Sequence, residues 1–85
     1  MRLDKFLKVS RIIKRRSVAD SACGVGRVLL NGKEAKSGKQ VKAGDEIIVS
    51  FGDKKLKARI LRVPEGNVSK EGADALYEII GEDNE

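Results

Sequence analysis

Seven of the fifteen residues from Arg2 to Arg16 are lysine or arginine, and side chains of this type and spacing suit the binding of phosphate. Arg2, Lys5, Lys8 and Arg11 recur every three residues as a stripe along one side of a helix, and Lys14, Arg15 and Arg16 follow as a basic turn. A stripe alone is also typical of a solvated helix face. Seven cations beside the single acid Asp4 repel one another unless an anion receives them. The group as a whole therefore favours nucleic acid as the partner.

The charge distribution of the whole chain indicates the same partner. The 85 residues carry a formal net charge of +5, but residues 1–64 hold 17 of the 18 basic side chains and only six of the 13 acidic ones. That part is therefore +11, and residues 65–85 are −6. Such asymmetry favours a polyanionic partner for the basic part. The acidic segment is either a solvated helix face or a means of limiting nonspecific RNA binding or of meeting a basic partner.

Few side chains suit catalysis or metal binding. The chain has no histidine, its acids lie singly or in the acidic segment, and Cys23 is the only cysteine. We expect Cys23 to be a small core residue, and the protein to have no enzymatic activity, metal or cofactor.

The amino terminus is charged where a signal peptide would be apolar, and no apolar run reaches membrane-spanning length. A cytoplasmic protein that contacts no membrane is therefore expected.

Two helices are predicted to position the basic side chains. Leu3, Phe6 and Leu7 recur at helical spacing, so the first helix runs from residue 2 to residue 10 or 11, after which the chain turns residues 12 and 13 inward. Ser17 is predicted to cap the second helix, with Asp20 in its first turn and a glycine at position 24 or 26 at its end. Its inward residues are expected to be Val18, Ala19, Ala22 and Cys23.

The rest of the chain is predicted to form strands and one more helix. Asn31 and Gly32 are typical of a type I′ turn, here between strands over 27–30 and 33–35. Two longer strands are predicted over 46–51 and 56–63, followed by a closing helix over 69–80. The sequence thus predicts an α+β fold, in which two amino-terminal helices pack on a small antiparallel sheet and a short carboxyl-terminal helix follows.

Folded RNA is a better candidate ligand than DNA. The second helix offers only Asp20 and Ser21 as polar side chains for reading bases, which are few for a DNA-recognition helix. The three aromatic residues lie at apolar positions, which argues against base-stacking RNA modules. If the second helix begins at Ser17, its free N–H groups can share one phosphate with Arg15 and Arg16. A small DNA-binding regulator remains the alternative.

Five short segments together resemble the S4 RNA-binding domain family. They are RLDKFL at 2–7, RRSVA at 15–19, GRV at 26–28, NGK at 31–33 and VKAGDEI at 41–47. Each is weak alone, but their order and spacing over residues 1–52 are specific. The resemblance implies an αL-type fold, in which two helices and a short sheet present a basic surface to structured RNA. It places an S4-type domain at 1–64, followed at 65–85 by an acidic helix and tail that are not a separate domain.

The resemblance also implies which residues face RNA. Together with Arg11 of the stripe, they are Arg2, Lys5 and Lys8 on the first helix, Lys14, Arg15, Arg16 and Ser17 at the turn, and Lys33 beside the hairpin. Asp4 has a counterpart in the family, and because a carboxylate repels phosphate we expect it to orient a neighbouring arginine. The implied core residues are Leu3, Leu7, Val18, Ala22, Val28 and Ile47.

Within the family, the opening MRLDKFLKVSRIIKRR and the length resemble small free-standing members of ribosome-associated quality control. This implies a monomeric RNA-binding factor that contacts rRNA and the P-site tRNA on obstructed large ribosomal subunits. It would assist a partner that recruits alanyl-tRNA and extends the stalled nascent chain with alanine. The alternatives are an accessory subunit that delivers a separate RNA-modifying enzyme, and a heat-shock-type recycling factor, from which the chain differs by its acidic carboxyl-terminal segment.

Overall fold

The computed structural model describes residues 1–66 and 68–84, which form helices on a five-stranded sheet. In chain order the elements are α1 (Leu3–Val9), α2 (Arg16–Gly24), β1 (Val28–Leu30), β2 (Lys33–Glu34), β3 (Glu46–Phe51), β4 (Lys54–Ile60), α3 (Lys70–Ala73) and β5 (Tyr77–Asn84). All neighbouring strands are antiparallel, in the order β2-β1-β3-β4-β5. The predicted α+β fold is confirmed. No helix of the described residues is long and apolar enough to cross a membrane.

One core joins the two amino-terminal helices to one face of the sheet. Leu3, Phe6 and Leu7 of α1 are fully buried, as their helical spacing predicts. They share a cluster with alternating residues of the strands, which are Val28, Leu30, Ile47, Val49, Ala58 and Ile60. Cys23 of α2 lies in the same cluster, and burial, aided by the charges of nearby acids, raises the pKa of its thiol to about 11. The prediction that Cys23 is a core residue is confirmed.

The carboxyl-terminal end of α1 is set by the backbone of Arg11. This residue has a φ of 64°, the left-handed conformation common just after a helix, and its N–H donates to the carbonyl of Lys8 at 3.1 Å. The chain then turns so that the N–H of Ile13 donates to the carbonyl of Leu7 at 3.0 Å. Ile13 is buried and Ile12 packs against the core, which confirms the predicted inward turn.

The amino-terminal end of α1 rests on the loop between β2 and β3. The N–H groups of Leu3 and Asp4 donate to the carbonyls of Lys39 and Ser37, at 2.8 and 3.1 Å. These two bonds satisfy donors that a helix end leaves free, so this helix needs no side-chain cap, and it has none. The loop and the first turn of α1 are thereby fixed to each other.

The predicted hairpin is confirmed. Asn31 and Gly32 have φ values of 52° and 86°, as a type I′ turn requires at both central positions. The Asn31 side chain also ties the turn to the start of β3, because its amide nitrogen donates to Asp45 at 3.1 Å and its oxygen accepts from the N–H of Glu46 at 2.9 Å. The predicted strand over 46–51 is confirmed with the same bounds.

The start of α2 differs from the prediction. Ser17 is not the cap, because the helix begins at Arg16, and Arg15 takes the cap position with extended backbone and no side-chain capping bond. Asp20 therefore lies beyond the first turn. The predicted burial of Val18 is also wrong, since it is 51% exposed. Residues 19 and 23 form the row of α2 that faces the core, and position 19 lies about 100° round the helix from position 18. Ala22 is partly buried at the edge of this row.

The predicted helix over 69–80 is wrong beyond Ala73. Ser69 does cap α3, since its hydroxyl accepts from the N–H of Gly72 at 3.1 Å, but the chain soon continues as β5, which pairs with β4 along its length. Without β5 the edge of β4 would leave a row of backbone groups unpaired. A bulge in this pairing shifts the register between Ile79 and Gly81. Because the extra residue interrupts the alternation of inward and outward side chains, the sequence of β5 does not show the period of a strand.

Truncation of Leu7 tests the placement of α1. Leu7 is fully buried between the helices and the sheet, so Leu7→Ala should lower the free energy of unfolding by about 2 to 5 kcal/mol. Val18→Ala is the control, because Val18 is half exposed and its truncation should change stability little. Urea denaturation followed by circular dichroism measures both. A Leu7→Ala variant as stable as the wild type would show that Leu7 does not lie on the buried face of α1.

Candidate RNA-binding surface

A buried carboxylate joins α1 to α2 at the centre of the basic region. Asp4 is only 3% exposed, and its two oxygens accept from the Nε atoms of Arg2 and Arg16, at 3.1 and 3.3 Å. The N–H of Lys5 donates to the same carboxylate at 2.8 Å. We call Arg2, Asp4 and Arg16 the arginine clasp. The expectation that Asp4 orients a neighbouring arginine is confirmed, and the fold adds Arg16 as a second partner, which the sequence alone did not identify.

The clasp leaves most of each guanidinium free. The side chains of Arg2 and Arg16 are 49% and 48% exposed, although each holds its Nε against the buried acid. A guanidinium carries five N–H donors in a planar fork, and Asp4 takes only the Nε of Arg16 and, with a second contact at 3.5 Å, two nitrogens of Arg2. The remaining donors point away from the acid. Two oriented forks side by side suit phosphate oxygens, which guanidinium binds in bidentate fashion.

The charge of Asp4 is maintained by its partners. Burial on its own raises the pKa of this carboxyl, but the hydrogen bonds from Arg2, Arg16 and the N–H of Lys5 outweigh it and hold the pKa below the ordinary 3.8. Asp4 is therefore ionised at neutral pH. An ionised Asp4 attracts both guanidiniums, so the clasp is formed under physiological conditions.

Five further cations surround the clasp. They are Lys5, Lys8, Arg11, Lys14 and Arg15, and none of them forms an ion pair with an acidic side chain of residues 1–66 or 68–81. Three of them, Lys8, Arg11 and Lys14, line an open depression of about 180 Å³ beside Val9 and Val68. We call these five side chains, with Arg2 and Arg16, the basic surface. The structure thus brings Arg2 and Arg16 together in the clasp, and Lys8, Arg11 and Lys14 together in the depression.

The first turn of α2 adds uncapped backbone donors to this surface. Because Arg15 makes no side-chain capping bond, the N–H groups of Arg16, Ser17 and Val18 at the helix start have no side-chain cap. Ser17 is exposed in the same turn. This end of the helix adjoins Arg15 and Arg16, and its cap position lies two residues before the predicted Ser17.

Other basic residues stand apart from this surface. Lys33 is exposed on β2 and lines a different depression, together with Lys36 and Lys39. On β4, Arg59 pairs with Glu46 and Glu78 at 3.4 and 3.0 Å. Lys57 of the same strand lies 3.7 Å from Glu46. Glu78 belongs to β5, so part of the acidic segment neutralises a neighbouring strand and does not form a solvated helix face.

Replacement of Asp4 tests the clasp. Asp4→Asn keeps the shape and removes the charge, so hydrogen bonds to charged partners worth about 1.5 to 3 kcal/mol should be lost at pH 7. The pKa of Asp4 is lower in the folded protein than in the unfolded chain. The ionised carboxylate therefore contributes fully to the free energy of unfolding above the unfolded pKa, and this contribution is lost as the pH falls through the folded pKa. The difference in unfolding free energy between the two proteins should therefore shrink below pH 3.8. A difference that does not change with pH would contradict the clasp.

Comparison with known proteins agrees with this geometry. Residues 1–47 match the model of the S4 domain family. The chain is 53% identical over 79 residues to an RQC P-site tRNA stabilizing factor of Halalkalibacterium halodurans, covering 93% of this chain and 89% of that one. It is 52% identical over 83 residues to the factor of the same name in Listeria monocytogenes, covering 98% of this chain and 89% of that one.

A solved structure shows the same fold. The trimeric structure of Vibrio cholerae heat shock protein 15 superposes with a TM-score of 0.85 at 32% identity, covering 93% of this chain and 80% of that one. The family match spans both helices and the strands up to the start of β3, which are the elements that carry the clasp. With more than half of its length matched and relatives that align over nearly all of it, the chain belongs to the S4 domain family.

Proposed function

We propose that this protein is a cytoplasmic RNA-binding factor of ribosome-associated quality control, which stabilises the P-site tRNA on obstructed large ribosomal subunits. The observation that carries the proposal is the arginine clasp, in which one buried acid orients two half-exposed guanidiniums from two helices. The relatives named as P-site tRNA stabilizing factors support it, since they are similar to this chain over nearly its whole length.

The basic surface supports binding of folded RNA through contacts with the phosphates of the RNA backbone. Beside the clasp, its other cations form no ion pair with an acid of residues 1–66 or 68–81, and the aromatic side chain of α1, Phe6, is fully buried, so no base can stack on it. Phosphate contacts of this kind fix the position and orientation of an RNA, and they do not read its sequence. The seven cations would contact phosphates of rRNA and of the tRNA, and Ser17 and Lys33 would add contacts at the margins.

The role that we propose requires no covalent chemistry. A rigid array of cations that contacts two RNA elements at once holds them in register, because each phosphate contact opposes their separation. The protein would thereby keep the tRNA in place while a partner factor recruits alanyl-tRNA and extends the stalled nascent chain with alanine.

Retention of tRNA on the large subunit tests the proposal. Purified large subunits that carry peptidyl-tRNA should lose it more slowly when wild-type protein is added. Arg16→Ala should abolish most of this protection and lower the slope of log affinity against log salt by about 0.7 to 0.9, as expected for one lost phosphate contact.

Lys54→Ala is the control, because Lys54 lies at the hairpin between β3 and β4 and not in the basic surface. It should protect the tRNA as the wild type does. Large subunits that release tRNA equally fast with and without the wild-type protein would contradict the proposed function.

Arg11 allows stability and binding to be separated. Its left-handed backbone favours glycine, so Arg11→Gly should raise the free energy of unfolding by up to about 1 kcal/mol. The same change removes a cation from the depression that it shares with Lys8 and Lys14, and should weaken binding to large subunits.

Arg11→Ala is the matched variant, since it removes the same cation and keeps the backbone strain. It should weaken binding as much as Arg11→Gly without the gain in stability. If Arg11→Gly binds as tightly as the wild type, then Arg11 does not contact RNA.

A further inference from the structure

Four lysines on β2 and on the loop between β2 and β3 form a second charged region. They are Lys33, Lys36, Lys39 and Lys42, they recur every three residues, and all are exposed. None of them forms an ion pair with an acidic side chain of the described part of the chain. We call residues 36–42 the lysine loop.

The lysine loop differs from the basic strand β4. On β4 the cations Lys57 and Arg59 are neutralised by Glu46 and Glu78, within 4 Å. Near the loop, the carboxylate of Asp45 is buried and accepts hydrogen bonds from the Asn31 side chain and the backbone N–H of Lys42. Its oxygens therefore bind uncharged donors and not the ammonium groups of the loop lysines. Glu34 lines the same depression as Lys33, Lys36 and Lys39, but among the described residues no ion pair joins it to them, whereas Lys57 and Arg59 of the sheet have acidic partners.

The backbone of the lysine loop is held firmly against α1. The carbonyls of Ser37 and Lys39 accept from the first N–H groups of α1, and the N–H of Val41 donates to the carbonyl of Met1 at 3.0 Å. An isolated antiparallel bridge joins Arg2 to Gln40. Because the loop is fixed, little backbone freedom is lost when its lysines bind a ligand.

Arg2 connects the lysine loop to the basic surface. A β-carbon built on Gly38 would lie 3.8 Å from the Arg2 guanidinium, so this guanidinium lies over the turn at residues 37 and 38. The same guanidinium belongs to the clasp. Arg2 therefore lies where the basic surface meets the lysine loop.

We propose that the lysine loop is a second phosphate-binding face, which holds RNA backbone beside the clasp and extends the RNA interface past the amino-terminal end of α1. This inference rests on the proposed function and adds Lys36, Lys39 and Lys42 to its site. Lysine is a mobile point charge with no planar fork, so this face adds salt-dependent affinity, while the clasp sets the orientation. Neither role reads bases.

Salt-dependent binding to purified large ribosomal subunits tests this inference. In titrations over a series of potassium concentrations, Lys39→Gln should lower the salt slope by about 0.7 to 0.9, and Lys36→Gln with Lys39→Gln by about 1.4 to 1.8. Lys39→Arg keeps the charge and should retain the wild-type slope. Thermal melting checks that each variant is folded, as expected for exposed side chains.

Lys54→Gln is the matched control, because it removes one lysine charge at the far end of the sheet. Arg59 pairs with Glu46 at the start of β3, where the lysine loop enters the sheet, and Lys54 lies five positions from Arg59, about 16 Å along the strand. Its salt slope should equal that of the wild type.

Two outcomes separate this inference from the proposed function. If Arg16→Gln lowers the slope and the folded double lysine variant does not, the lysine loop is not part of the interface, and the proposed function stands. If neither variant differs from the wild type, both the lysine face and the proposed function are wrong.

Discussion

The contact between Asp4 and two arginines is the constraint on which the basic surface depends. Arg2 precedes α1 and Arg16 opens α2, and without an acid between them two guanidiniums would repel each other at this distance. Burial of Asp4 makes the attraction stronger than it would be in water, and the hydrogen bonds from both arginines keep the acid ionised. One residue thus links the two helices at their starts and orients the guanidiniums of Arg2 and Arg16.

The division of charges in the chain follows from this arrangement. Glu46 of β3 and Glu78 of β5 pair with Lys57 and Arg59 of β4. The single acid of α1 orients two cations, and the other cations of the basic surface form no ion pair with an acid of residues 1–66 or 68–81. An excess of positive charge at one end of a small protein lowers its stability, and binding of a polyanion removes that repulsion.

Much of this could be predicted from local sequence. The spacing of Leu3, Phe6 and Leu7 fixes the inward face of α1, and the pair at 31 and 32 fixes the hairpin, because both signals arise within a few residues. The pairing of Asp4 with an arginine followed from the family resemblance together with the repulsion between a carboxylate and phosphate. The prediction places the start of α2 two residues late, because Arg15 takes the cap position without a side-chain bond. The other failures depend on distant parts of the chain. The strand β5 forms because β4 offers a free edge, and a bulge conceals its alternation. The cap of α1 consists of loop carbonyls more than thirty residues away, which no side-chain pattern reveals.

The central claim is that the basic surface, organised by the clasp, binds the large ribosomal subunit. Sucrose-gradient sedimentation of a cell lysate tests it most directly, with the wild type compared with a folded variant that carries Arg15→Ala and Arg16→Ala. We expect the wild type in the large-subunit fraction and the variant at the top of the gradient. Wild type at the top, or both proteins in the large-subunit fraction, would contradict the claim.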